Sequence, residues 1–189
     1  MKSRLLLVAL VALVCTAAAA VVASAGVSHS PDRHHLSSYE VWLVDQEDKL
    51  NAGAGTLYVF DGRELTRDAA CPVPEKIDLA GAVRTMCQEK TGTIPLSPHM
   101  MSSTADNDGA GGNTYAALAF VASGHVAFLD AETREPVDCI DVGTQAHAAW
   151  PTPDQRHLIV ANQNGKKLQR IRTDYRTERF TLEDSATID

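Results

Sequence analysis

His99-Met100-Met101-Ser102-Ser103-Thr104-Ala105-Asp106 and His147-Ala148-Ala149-Trp150-Pro151-Thr152-Pro153-Asp154 carry histidine, threonine and aspartate at the same internal spacing, with the two histidines 48 residues apart. Each segment is followed by a β-prone run, a short polar turn, a second run ending near an aspartate, and a third run. In the first copy these are Tyr115 to Val121, the turn at Ser123-Gly124, His125 to Asp130, and Pro136 to Val142. In the second they are Arg156 to Ala161, the turn Asn162-Gln163-Asn164-Gly165, Lys167 to Thr173, and Glu178 to Leu182. Short apolar runs bounded by Gly, Asp and Asn read as an antiparallel meander. The glycines Gly124 and Gly165 lie only 41 apart, which places a longer loop, Asn107 to Gly112, in the first copy. The asparagines and Gly165 tolerate positive φ, which suits the second turn.

A four-strand unit that repeats every 40 residues or so has the size of a propeller blade. A small twisted sheet has two apolar faces and cannot bury both alone, so such sheets stack radially. The innermost strands crowd the axis, which suits the small residues after His147. The reading is therefore all-β: a partial β-propeller of four-stranded antiparallel blades in an open ring.

Two stretches carry a resemblance. Phe120-Val121-Ala122-Ser123-Gly124-His125-Val126 and Leu158-Ile159-Val160-Ala161-Asn162-Gln163-Asn164-Gly165 look like the strand–turn signatures of YVTN-type and cytochrome-d1-like propeller repeat proteins. Pro153-Asp154-Gln155-Arg156 resembles their Pro-Asp-Gly-Lys turn, with Gln155 in place of the glycine. The resemblance covers mainly residues 99 to 184, with a weaker echo at 39 to 65. That group includes surface and periplasmic repeat proteins, lactonase-like enzymes and haem-binding domains, so the resemblance implies a fold more than an activity.

Outward from the repeats, Tyr39 to Val44 and Thr56 to Phe60 read as strands, the second closed by the turn dipeptide Asp61-Gly62. Residues 63 to 98 hold four prolines, with a short helix expected between Asp78 and Met86, and no run of ten or more residues shows helical period. The organisation expected is 1–25 a secretory signal peptide or N-terminal anchor, 26–38 a flexible linker, 39–98 a partial blade with connecting loops, 99–143 one blade, and 144–189 a second blade with the start of the next. After the leader, 164 residues allow three to four blades at most, with two readable. Propellers generally close with four to eight, so the expectation is a truncated ring, a split protein or an assembly of incomplete rings, whose partner is a protein, a small molecule or further blades from another chain.

The leader follows from Lys2 and Arg4, the apolar run from Leu5 to Ala25, and the small residues Ala23-Ser24-Ala25 before Gly26. The run is also long enough to span a bilayer, which makes a membrane anchor the alternative. Export would place the chain outside the cell or in the periplasm. Without Lys2 and Arg4 the chain has 15 basic against 24 acidic residues. That balance argues against a nucleic-acid partner, which needs clustered cations. The basic residues Lys166, Lys167, Arg170, Arg172, Arg176 and Arg179 are expected to form a solvated strand face.

Beyond the leader the cysteines are Cys71, Cys87 and Cys139. Cys71 and Cys87 flank a loop-like stretch and are the expected disulfide, with Cys139 a small apolar residue buried in a strand. There is no C-x-x-C, P-loop, G-x-S-x-G, H-E-x-x-H or dinucleotide fingerprint.

His99 and His147 are the candidate metal ligands. Repeat-matched positions in successive innermost strands would bring both imidazoles to one end of the channel, and imidazole suits first-row transition metals or haem. The bland alternative is a repeated hydrogen bond between blades. His125 reads as a polar loop or channel residue, Asp106 and Asp154 as turn-capping groups, and Trp150 as a residue that packs between blades or covers the turn, packing being favoured. His34-His35 is a weak metal site in a loose tail. The leading functional expectation is an extracytoplasmic propeller protein that binds a ligand or partner without catalysis. A metal- or haem-associated oxidoreductase using the two histidines is the second, and a lactonase-like hydrolase the third; no catalytic residue is assigned.

Overall fold

A computed structural model describes residues 39–46, 54–65, 72–106 and 114–187, except the side chains of Asp184 and Thr187. The expected leader and linker, His34-His35 and Cys71 lie outside the described residues. No helix among the described residues is long and apolar enough to cross a membrane.

The chain divides into two compact units, residues 1–41 with 60–74, and residues 42–59 with 75–189. In the first, the backbone N–H of Gly62 donates to the carbonyl of Tyr39 at 2.8 Å. Gly62 opens the short helix α1 (Gly62–Leu65). A side chain at Gly62 would run into the Tyr39 ring, which lies 2.1 Å from the position of its Cβ.

The second unit carries the repeats. Strands β1 (Glu40–Asp45), β2 (Thr56–Asp61) and β3 (Glu75–Asp78) form a three-stranded sheet in sequence order. Helix α2 (Ala82–Thr91) follows and ends on Gly92, which takes the left-handed conformation (φ 79°). It is longer and later than the helix expected from the sequence. Only Val83 and Cys87, one turn apart, are buried on it, so its apolar face is too narrow to show a helical period.

Strands β4 (Pro98–Ala105), β5 (Thr114–Phe120), β6 (His125–Asp130) and β7 (Pro136–Asp141) pair antiparallel in order. Strands β8 (Ala146–Pro151), β9 (His157–Asn162), β10 (Lys167–Asp174) and β11 (Arg179–Thr187) repeat the same meander. β4 and β8 are neighbouring first strands, joined where the Ser102 hydroxyl donates to the Ala149 carbonyl at 2.6 Å. The chain is thus a partial β-propeller: two complete four-stranded blades, preceded by a three-stranded sheet.

Two cores hold the stack. One unites Leu57, Val59, Leu79, Val83 and Cys87 with Leu118, Phe120, Ala127 and Leu129. The other unites Tyr115, Ala117, Val126 and Phe128 of the first blade with Leu158, Val160, Ile171 and Phe180 of the second. Successive residues of β5 and β6 point to opposite faces, and both faces are covered: from Tyr115 to Phe120 and from His125 to Asp130 every residue is buried.

Two sequence expectations are corrected. Cys87 is bonded to Cys139, not to Cys71. Their Cα atoms lie 5.1 Å apart because α2 lies against β7, with Cys87 on its buried face and Cys139 at a buried strand position. Sequence proximity favoured the nearer cysteine; the packing of helix on strand joins residues 52 apart. Lys90 adds an ion pair from the same helix to Asp138. The second correction concerns Gly165. The residue with positive φ in its turn is Lys166 (φ 48°), which stands where Gly124 (φ 72°) stands in the first blade. Gly165 is required for space, since a Cβ there would lie 2.6 Å from Asn162 Oδ1, the acceptor of its own N–H.

Candidate functional site

His99 and His147 sit at matched irregularities. Pro98 pairs with Phe120 and Met100 with Ala119, so His99 is the extra residue of a β-bulge. Ala146 pairs with Asn162 and Ala148 with Ala161, which makes His147 the extra residue of the equivalent bulge. A bulge bends its strand and re-aims one side chain out of the ladder. Used twice on neighbouring first strands, it brings the two half-buried imidazoles together edge to face, with ring centroids 4.6 Å apart.

His99 is further oriented by Gln46. Nδ1 lies 2.9 Å from the Gln46 carboxamide oxygen. That oxygen only accepts, so Nδ1 carries the proton and Nε2 of the neutral ring keeps its lone pair. His147 has no hydrogen-bond partner among the described residues. Two positions before it, Gln145 has a buried side-chain oxygen that likewise finds no partner there. Among the described residues no three His, Cys, Asp or Glu side chains cluster to hold a metal ion.

The other repeat-matched residues part company at the opposite end of these strands. Thr152 and Asp154 close their own turn: the Thr152 hydroxyl donates to Asp154 at 2.6 Å, and Arg156 N–H donates to the same carboxylate at 3.1 Å. That first bond holds the Asp154 carboxyl below its usual range. Thr104 instead reaches into the next blade, where its hydroxyl meets Gln155 Oε1 at 3.0 Å and the Tyr175 hydroxyl. Gln155 also accepts from Ala105 N–H at 3.1 Å through its side chain, and from Thr173 and Tyr175 through its carbonyl. It does so with φ 59°, in the turn position that glycine fills in the resembling sequences. Nearby, a cleft of about 580 Å³ is bordered by Asp106, Asp154, Arg156, Arg172, Tyr175 and Arg176.

His125 is fully buried and satisfied, with Nδ1 3.0 Å from Ser123 Oγ and Nε2 3.0 and 3.1 Å from the hydroxyls of Thr91 and Thr93. Burial pushes its pKa down, against a smaller pull upward from Asp141. Met101 packs into the first core. The six basic residues from Lys166 to Arg179 are exposed; of these, Arg170 and Arg172 share one face of β10, and Arg172 pairs with Glu183 at 2.8 Å.

Trp150 departs from expectation. It is 50% exposed rather than packed between blades. It lies opposite Ile159 in the β8–β9 ladder, on the face turned away from the first blade. Leu168, 42% exposed, and the half-buried Ala161 continue that face.

Gln46 went unnoticed in the sequence, and Gln155 was noted there only as a departure from a turn glycine. Gln46 carries no motif. Gln155 had a signal: a long side chain standing where a turn favours glycine, which calls for a compensating contact.

No protein-family model matches this sequence, and no curated protein matches it. Solved structures similar to it include a propeller domain. A Myceliophteria thermophila Cps50 (Swd1) β-propeller domain aligns at 16% identity and TM-score 0.45, over 70% of this chain and 38% of that one. A Bacteroides fragilis protein described as a candidate 6-phosphogluconolactonase aligns at 16% identity and TM-score 0.47, over 72% and 34%. A Bacteroides uniformis protein of the same description gives 14% and 0.46, over 72% and 36%. The chain spans little more than a third of these structures.

Proposed function

We propose that the chain is a noncatalytic, extracytoplasmic propeller segment of the YVTN type that works as a binding module, and that its partner surface is a sheet face. The observation that carries this reading is a contrast between the two blades. β5 and β6 are buried on both faces, whereas β9 and β10 alternate buried and open. The covered face of the second blade holds Leu158, Val160, Ile171 and Phe180. Its open face carries Trp150, Ile159 and Leu168, an apolar strip on the side of the innermost strand. The polar outer half, with Arg170, Arg172 and Glu183, is suited to a rim.

The partner that fits is a second copy, docked head to tail. At the other end of the stack, Trp42 and Val44 pack into the first core, so Leu43 points away from it and is 57% exposed. Tyr58 alternates in the same way between the buried Leu57 and Val59. Joining unlike faces in this way is a heterologous contact, which propagates into a ring or an open array. The Cys87–Cys139 bond supports an oxidising compartment, in line with the leader read from the sequence.

Light scattering on the size-separated mature protein tests the assembly. Oligomers are expected at micromolar concentration, and Trp150→Glu or Leu43→Glu should each give monomers. Mixing the two monomeric variants should restore a one-to-one dimer, because each keeps the face the other lacks. A monomeric unmutated protein, or variants that assemble unchanged, would overturn the reading.

A further inference from the structure

We infer that His99 and His147 together bind one divalent transition-metal ion, copper(II) most tightly and zinc next. Three independent features converge on the pair. Two bulges at repeat-equivalent positions point both imidazoles to one place. A hydrogen bond to Gln46 fixes the proton of His99 on Nδ1 and leaves Nε2 as a donor to metal, the arrangement by which metal-bound histidines are commonly oriented. His147 is held by no hydrogen bond among the described residues, so none of them claims the ring nitrogens that a shared ion would use.

The donor set decides the metal. Two neutral imidazoles favour borderline ions over hard ones, and the order of stability for such ligands peaks at copper(II). Among the described residues no third His, Cys, Asp or Glu joins them. Two protein ligands leave positions for water or a small donor molecule, as in open rather than structural sites. The site stands on different residues from the proposed sheet-face contact, and its success or failure is read separately.

Equilibrium dialysis of the mature protein with copper(II) or zinc chloride provides the test, in a background of His34→Ala and His35→Ala. One saturable ion per chain is expected, tighter for copper, with the electron paramagnetic resonance signal of copper split by two nitrogens. His99→Asn or His147→Asn should abolish saturable binding. Gln46→Leu should keep the stoichiometry and weaken binding about tenfold or more. Each variant is checked for an unchanged circular dichroism spectrum. As a second measurement, metal should protect His99 and His147 of the unmutated chain from diethyl pyrocarbonate. Absence of saturable binding, binding that survives both histidine substitutions, or failure of metal to protect either residue would overturn the inference.

Discussion

Phe128 of the first blade and Phe180 of the second stack with centroids 3.7 Å apart and planes 5° from parallel. Tyr115 and Tyr175 meet Phe180 edge-on, at 74° and 82°. Edge-to-face contacts set the positive rim of one ring against the negative face of another, so the tyrosines surround a stack that is not electrostatically ideal by itself. Phe180→Ala should cost about 3–5 kcal/mol, a large share of the stability of a domain this size. Urea unfolding of the variant measures it, and a loss under 1 kcal/mol or so, smaller than one buried methylene or two, would refute the junction's importance.

Gln155 couples the blades through a strained turn. Gln155→Gly relieves positive φ, which alone stabilises by up to about 1 kcal/mol. It also removes the side-chain oxygen that accepts from the Thr104 hydroxyl and the Ala105 N–H; Thr104 keeps the Tyr175 hydroxyl, but the Ala105 N–H loses its acceptor, and an orphaned donor costs about 1–3 kcal/mol. The expected result is net destabilisation, with a coupling of about 0.5–3 kcal/mol to Thr104→Val in a double-mutant cycle. A more stable glycine variant would show that turn strain outweighs the cross-blade bonds.

His125 makes stability depend on pH. Its folded pKa lies below the unfolded value because burial disfavours the imidazolium. Below the unfolded value of about 6.5 the unfolded chain therefore binds more protons. The contribution is complete above that pH and is lost as the pH falls from there through the folded pKa. Unfolding free energy should fall as the pH drops below about 6.5, and fall less in His125→Gln. Equal slopes in the two proteins would exclude His125 as the source.

Peptide mapping without reductant should recover Cys87 and Cys139 in one cross-linked fragment. Cys87→Ala with Cys139→Ala should lower stability by about 2–5 kcal/mol. A fragment joining Cys71 to Cys87 would contradict the placement of α2 on β7.

The repeat was legible because it is written twice. His99 and His147 stood out by spacing, and the matched bulges account for that spacing. The bulges themselves were invisible, since an extra strand residue has no composition of its own. The cross-blade role of Thr104 was hidden for a different reason: its counterpart Thr152 serves a local turn, and identical letters gave no hint of different partners. The disulfide was misjudged because chain distance says little once a helix folds over a strand. Trp150 was expected to pack between blades from its place at the end of a strand, but the burial of a large ring depends on whether a neighbour covers that face.

Asp138 accepts from the Phe180 N–H at Oδ2 (2.8 Å), and at Oδ1 from the Cys139 N–H (2.8 Å) and the Lys90 ammonium. One buried carboxylate thus serves the helix, its own strand and the last strand of the following blade. Stacked repeats commonly melt piecemeal, each unit stabilised by its nearest neighbours. Here, peeling away the second blade strips a partner from a charge that stays buried under α2. The two blades are thereby bound into one cooperative transition, in which fluorescence and circular dichroism should report a single midpoint.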